Sequence, residues 1–268
     1  MLKRASQSAY RAVLDRSSPD EAYIREGEYT GEINGCELSI NVDSRTELRA
    51  FRHTKNSESE ILTDITAEVT ENDIVYDIGA HIGLHTCVLG TAVPEATIVS
   101  FEPYPLNAAQ LLQNAHKNDV DVSLVSIAVS DEQGYLTMSG FSDEIGSSTG
   151  AASLDDGTID SDLTVCSISG DQFVSESEFS PPDIVKIDVE GAEPLVIEGM
   201  EQTLSSDSCR ALYCEVHLPS ESGSSIVDYG VTKDELFQTI RKCGFSIEVL
   251  NKRDTRVPTM HIKATKQE

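Results

Sequence analysis

Ile74-Val75-Tyr76-Asp77-Ile78-Gly79-Ala80-His81-Ile82-Gly83 is an apolar run that breaks into a glycine-bearing turn, and Leu84 to Leu89 resumes the apolar pattern. The stretch reads as a buried strand, a tight turn and a helix. Glycine lets bare backbone approach a ligand at the carboxyl end of a parallel strand, where doubly wound sheets bind cofactors. Downstream, Thr97-Ile98-Val99-Ser100-Phe101-Glu102 is a second short strand. It ends in a carboxylate at the remove that suits a ribose diol. The two strands together predict a cofactor that contains a nucleoside.

Working outward, strands at 73–78, 97–102 and 122–127 alternate with helices at 83–91 and 105–117. This alternation predicts an α/β fold, a parallel sheet with right-handed crossovers. The sheet resumes at Asp183 to Val189, and a helix follows from Pro194 to about Leu204, with proline near its start. Ala211 to His217 is the next strand. Lys233 to Cys243 is a helix stopped by Gly244, and 245–250 and 260–264 close the sheet as an antiparallel pair. From Gly140 to Ser161 the chain is rich in Ser, Gly and Asp. It reads as a loop between short strands at 134–139 and 162–168, either a salt-adapted insertion or a cover for substrate.

Residues 71–268 thus form the cofactor-binding domain, and residues 1–70 an N-terminal extension. In the extension, Met1 to Asp15 reads as a helix, and 29–33 and 37–41 as a hairpin closed by Asn34-Gly35. Ser57 to Val69 carries Ile61, Leu62, Ile65 and Val69 at helical spacing, with Ser57 as the expected cap and Glu60 three residues on.

Charge is the outlier of the composition: 46 Asp plus Glu against 20 Lys plus Arg give a formal net charge of −26 over 268 residues. The acid is spread along the chain among apolar patterns, so it points to a folded surface built for very high salt rather than to disorder. Free nucleic acid and anionic membrane are not expected partners, since both would be repelled. The six cysteines form no Cys-x-x-Cys pair, so they read as reduced core residues. No apolar segment follows the basic start and no window reaches the length of a membrane span, which leads us to expect a cytoplasmic protein.

Two classes of cofactor use a glycine turn and a downstream acid. A dinucleotide requires Gly-x-Gly-x-x-Gly so that pyrophosphate can reach a helix N-terminus. Here the spacing is Gly79-x-x-x-Gly83, His81 stands where the middle glycine would be, and Asp77 would repel a phosphate bridge. S-adenosylmethionine has no phosphate and presents a sulfonium and an ammonium, which an acid at a strand end complements. Charge favours the methyl donor. An NAD-dependent oxidoreductase and a non-catalytic nucleoside-binding sheet are the competing readings.

The turn at 77–83, Phe101-Glu102-Pro103, Ala128-Val129-Ser130-Asp131, Ile184 to Glu193 and Glu215-Val216-His217 resemble the successive motifs of the FkbM family of S-adenosylmethionine-dependent methyltransferases. Lys186-Ile187-Asp188-Val189-Glu190-Gly191-Ala192-Glu193 is the most specific of these, and His81 departs from the Asn usual in the family. The resemblance implies a class I, Rossmann-like sheet of seven strands in the order 3-2-1-4-5-7-6, and methyl transfer to oxygen, typically a hydroxyl of a sugar or other small metabolite. By position it places Asp77, Gly79, His81 and Gly83 at the methionine end, Glu102 on the ribose, and Ile127 and Ala128 beside the adenine.

Ile184, Lys186 and Asp188 share one face of their strand, because side chains alternate. Asp188 and Glu190 reach the mouth of the sheet from one strand, Glu215 and His217 from the next. Transfer to a hydroxyl needs an aligned oxygen that loses a proton. His217 is the first expectation for the general base, since its ordinary pKa is near neutrality. Asp188 is the second, as base or orienter, and Glu215 completes the catalytic set. Lys186 is expected to pair with a neighbouring acid. The acids with His217 offer ligands to a divalent cation, but no dense ligand motif is present, and His81 and His85 lack the Glu of His-Glu-x-x-His, so no metal is assigned. The acceptor is expected to be a small-molecule or glycan-linked hydroxyl.

Overall fold

The first three strands, β1 (Ile24–Arg25), β2 (Glu28–Ile33) and β3 (Cys36–Asn41), form an antiparallel sheet. Asn34 and Gly35 link β2 to β3 with φ of 50° and 79°, as a two-residue hairpin loop of the primed kind requires. The computed structural model describes residues 24–266 apart from 26, 43, 142–144, 146–160, 222 and 254–256. The helix expected at Met1 to Asp15 and nearly all of the Ser-, Gly- and Asp-rich stretch lie outside the described residues.

Two helices follow, α1 (Arg45–Ser57) and α2 (Ser59–Glu68). The expected cap at Ser57 is corrected: Ser57 is the last residue of α1. The helical run starts earlier because Ser44 and Glu47 make a capping box, Glu47 N–H donating to Ser44 Oγ at 3.0 Å and Ser44 N–H to Glu47 Oε2 at 2.8 Å. The run breaks at Glu58, whose side chain is drawn inward and buried.

The remaining elements are β4 (Ile74–Ile78), α3 (Leu84–Ala92), β5 (Thr97–Phe101), α4 (Pro105–Lys117), β6 (Val122–Val125), β7 (Ala128–Ser130), β8 (Gly134–Phe141) and β9 (Ser161–Ser169). After them come α5 (Gly170–Glu176), β10 (Ile184–Ile187), α6 (Glu193–Glu198), α7 (Glu201–Ser205), β11 (Ala211–His217), α8 (Lys233–Lys242), β12 (Phe245–Arg253) and β13 (Thr259–Lys266).

Seven strands form the central sheet in the order β12-β13-β11-β10-β4-β5-β6. The pairs from β11 to β6 are parallel, and β13 runs antiparallel to both β11 and β12. These labels read 12-13-11-10-4-5-6 rather than the expected 3-2-1-4-5-7-6. Six strands outside the sheet also take numbers: β1 to β3, and a second small sheet of order β7-β9-β8 inserted after β6.

Two local expectations change with packing. The strand expected at 122–127 ends at Val125, since Ile127 N–H turns back to Val125 O and Ala128 leaves to pair with β9. The helix expected from Pro194 to Leu204 is split into α6 and α7 around Gly199, where a Cβ would stand 1.8 Å from the carbonyl oxygen of Ser130. Backbone contact with β7 holds that joint.

Apolar side chains cover both faces of the sheet. Tyr76, Phe101, Ile187 and Val216 pack with Val196, Ile197 and Leu236 on one side. Val75, Ile98 and Ile184 pack with Ile61 and Ile65 of α2 on the other. The hairpin is tied into this body: Tyr29, Leu38 and Ile40 share a core with Leu84, Cys87 and Val88. The amides of Ser39 and Asn41 donate to the side chains of Asn118 and Asn114. Among the described residues no helix is long and apolar enough to cross a membrane.

Candidate active site

The turn after β4 spends its own backbone donors. Gly79 and Ala80 N–H both donate to Phe101 O at 3.0 Å, Gly83 N–H donates to Ala80 O at 2.9 Å, and His81 N–H donates to Glu102 Oε2 at 2.8 Å. Gly79, His81 and Gly83 all have positive φ, at 80°, 54° and 83°. A Cβ on Gly79 would stand 1.8 Å from Asp188 O, so the turn lies directly against the end of β10. These four N–H groups are committed inside the protein and form no nest for a phosphate.

Glu102 sits just past β5, buried, with Oε1 accepting Tyr104 N–H at 2.8 Å and Oε2 accepting His81 N–H. Burial pushes its carboxyl up to about 7, against the pull of those two amides. Each oxygen keeps a second acceptor position. Half-buried Ile127 and Ala128 follow the end of β6, and Ser126 Oγ ties this corner to Glu102 O at 3.3 Å. Acceptors and carboxylates at the ends of β4, β5 and β10 fit a cofactor that brings a diol and two cationic groups, and they do not fit a pyrophosphate.

Asp77 lies deeper than its place in the motif implies. Its side chain is wholly buried, takes a hydrogen bond from Thr86 Oγ1 at 2.8 Å, and pairs through Oδ1 with Lys186 Nζ at 3.1 Å. Burial alone would raise the Asp77 carboxyl, but Lys186 holds it below the usual range. Lys186 also reaches Gly79 O at 3.4 Å and Asp188 Oδ2 at 3.7 Å. It is thus the paired lysine that its place on β10 leads one to expect.

Asp188 stands at the mouth, its side chain 21% exposed. Burial pushes its carboxyl up to about 7, although Lys186 pulls the other way. A carboxylate poised there both holds and releases a proton near neutrality.

His217 is placed differently from the expectation. Its Nδ1 is 2.9 Å from Glu193 Oε1 and its Nε2 3.3 Å from Glu190 Oε2. Burial works against charge on the ring, but the two carboxylates raise its pKa well above the ordinary value. Both ring nitrogens face carboxylates, so a protonated His217 offers no lone pair to a substrate proton. His217 thus clasps Glu190 to α6, where Glu193 also accepts Gly191 N–H at 2.8 Å.

Glu215 stands two residues before His217 on the same strand, β11. Register pairs it with His261 of β13, whose Nε2 is 3.3 Å from Glu215 Oε2. Burial would raise its carboxyl, yet His261 and His217 hold it below the usual range. This fits a fixed negative charge rather than a group that cycles a proton. Above it, Glu58 meets His53 Nε2 at 3.4 Å and His85 Nδ1 at 3.5 Å. Burial drives the Glu58 carboxyl well up and the His85 imidazole down to about 3.

No motif of the sequence marks His53, Glu58 or His261 as part of a site. His261 would have been found from the β11–β13 register. His53 and Glu58 carry no local signal, because the joint between α1 and α2 is what turns them to the sheet.

Comparison with known proteins agrees with this geometry. The methyltransferase FkbM domain matches residues 77–247. Hexuronic acid methyltransferase AglP of Haloferax volcanii is 28% identical over 175 residues, covering 65% of this chain and 69% of that protein. The 31-O-demethyl-FK506 methyltransferase FkbM of Streptomyces tacrolimicus is 36% identical over 76 residues, 28% of this chain and 29% of that one. The crystal structure of a putative rRNA-methylase from Clostridium thermocellum superposes with a TM-score of 0.51 at 12% identity, covering 80% of this chain and 97% of that one, which shows a shared class I methyltransferase-like fold. With its committed turn amides and its acidic strand ends, the chain belongs to the FkbM family of methyltransferases, whose methyl donor is S-adenosylmethionine.

Proposed function

We propose that this protein methylates a hydroxyl oxygen of a sugar or other small metabolite, with Asp188 as the proton acceptor. The observation that carries the proposal is a partly exposed carboxylate, tuned to about 7, beside the glycine turn. Bound S-adenosylmethionine supplies an electrophilic methyl carbon on a sulfonium. Asp188 would take the proton that the acceptor hydroxyl gives up as its oxygen is methylated. Glu102 is placed for the ribose hydroxyls, Ile127 and Ala128 for the adenine edge, and Gly79, His81 and Gly83 for the methionine end. The Glu190–His217–Glu193 clasp fixes the loop after β10 and so orients Asp188.

A sugar acceptor gains support from the relative in Haloferax, which is named for hexuronic acid. The test is labelled S-adenosylmethionine with a panel of neutral and uronic-acid sugars in molar KCl, read by mass spectrometry before and after mild alkali. An alkali-stable methyl ether is expected, whereas an alkali-labile methyl ester would move the accepting oxygen to a carboxylate and refute the hydroxyl. Asp188→Asn should lower kcat by about 100-fold or more, in the range of a lost general base. S-adenosylhomocysteine should still bind that variant, and a loss under about threefold would remove Asp188 from this role.

A further inference from the structure

The polar half of the sheet face that carries Asp188 is roofed by the joint between α1 and α2, and three side chains converge there. His53 from α1, Glu58 from the joint and Glu215 from β11 each offer one ligand atom, and these atoms all lie within 4.8 Å of one another. One ion about 2.0–2.2 Å from each atom would hold them no more than about 4.4 Å apart, so the side chains need close by at most a few tenths of an ångström. Two of the three are buried carboxylates, with relative exposures of 3% and 4%. Two carboxylates enclosed side by side repel each other strongly in a medium from which water is excluded.

Around them polar atoms remain without partners. Lys186 is committed to Asp77 and Asp188. Glu215 Oε1 is enclosed without a hydrogen-bond partner, and so is each ring nitrogen of the buried His261, whose Nε2 stands 3.3 Å from Glu215 Oε2 but is not aligned for a bond. Enclosed polar atoms left unsatisfied are costly, and they cluster here around one point. The side chain of His53 is 50% exposed, which gives an ion a route in from solvent.

We propose that His53, Glu58 and Glu215 bind one divalent cation of the first transition row, with His261 at hand as a further ligand. The imidazole favours zinc or iron over magnesium, and the two carboxylates neutralise the ion's charge. Three protein ligands leave open positions on the solvent side, next to the carboxylate of Asp188. If the acceptor reading above holds, an oxygen of that acceptor is the natural ligand for such a position. The site itself does not depend on that reading.

The test uses the full chain, stripped with chelator and held in molar KCl so that the acidic surface does not hold ions by charge alone. Co2+ serves as the probe, because its visible bands report nitrogen and oxygen ligation, and Mg2+ is the comparison. One Co2+ per chain with intensified visible absorption is expected, with affinity at least tenfold above that for Mg2+. Affinity should fall at least tenfold in Glu215→Gln and in His53→Ala. Asp234→Asn, which alters an exposed acid of α8, should bind as the parent does. If Glu215→Gln fails to fold, His53→Ala decides, since that ring is half-exposed. An aqua-ion spectrum, or equal affinity in His53→Ala, overturns the site. S-adenosylhomocysteine binding on the same samples separates the two proposals: cofactor binding without Co2+ binding overturns this site alone.

Discussion

Lys186→Met is the sharpest perturbation of the site. The ammonium is buried, 3.1 Å from Asp77 Oδ1 and 3.7 Å from Asp188 Oδ2. Asp77 is wholly buried, and without Lys186 its described hydrogen-bond partner is the Thr86 hydroxyl. Leaving one partner of a buried ion pair uncompensated costs about 3–5 kcal/mol. That is a large share of the roughly 5–15 kcal/mol that holds a domain folded. With a urea m-value of about 3 kcal/mol/M, the unfolding midpoint should drop by about 1–1.7 M. Adding Asp77→Asn to Lys186→Met removes the stranded charge and should restore most of the loss. Urea unfolding followed by circular dichroism at fixed molar KCl measures all three proteins. The same variant acts on Asp188: since Lys186 favours the ionised carboxylate, its removal raises that carboxyl above about 7. The rise of activity with pH should therefore move to higher pH. A cost under about 1 kcal/mol, or a double variant no better than the single, would refute the buried pair as the support of the site. An unmoved pH profile would refute Asp188 as the titrating base.

Three further outcomes are expected. Glu102→Ala should weaken S-adenosylhomocysteine by about 10- to 100-fold in calorimetry, the worth of hydrogen bonds between a diol and a charged carboxylate, and an unchanged Kd would remove Glu102 from the ribose. His217 has a folded pKa raised well above its ordinary 6.5, so its clasp on Glu190 and Glu193 is complete just below 6.5 and fades as pH climbs through the raised value. The stability gap between the parent and His217→Gln should accordingly be widest near pH 6 and narrow on the alkaline side, and a gap that widens with pH would show that the ring is held neutral. Dialysis from molar KCl into dilute buffer should lower ellipticity, because 46 acidic residues against 20 basic ones repel once screening is removed; full retention would count against a salt-adapted surface.

Much of this fold is written in local pattern. Ile74 to Gly83 is an apolar run, a turn that glycines permit and an apolar helix, and none of these needs a distant partner to be recognised. Asn34-Gly35 sets its hairpin by backbone conformation alone. Local pattern fails where distant backbone decides: the break in the helix after Pro194 follows from Gly199 pressing on Ser130 O, and the short β7 exists because β9 returns beside it. The site divides the same way. Lys186 and Asp188 are on one face by simple alternation, and the pairing of that lysine could be foreseen. The role of His217 could not. An imidazole near neutral pKa reads as a base until Glu190 and Glu193 are seen on either side of it, and α6 must fold before Glu193 arrives.

The two halves of one sheet face show why the N-terminal segment matters to the chemistry. On the lower half, Tyr213 donates to Asp64 at 2.6 Å, and Lys263 reaches Asp64 at 2.7 Å and Glu68 at 3.0 Å, so α2 is fastened to β11 and β13. That fastening sets where α2 begins, and so where Glu58 and His53 stand over Glu215. The FkbM domain match covers 77–247 and takes in the turn, Glu102, Asp188 and His217. His53, Glu58 and His261 all fall outside it. The residues proposed for the donor and the base thus lie within the span shared with the family, whereas the roof proposed over the acceptor side is supplied by segments before and after it. If the proposed roof contacts the acceptor, substitutions in α1, the joint at Glu58 and β13 should shift acceptor preference more than cofactor affinity.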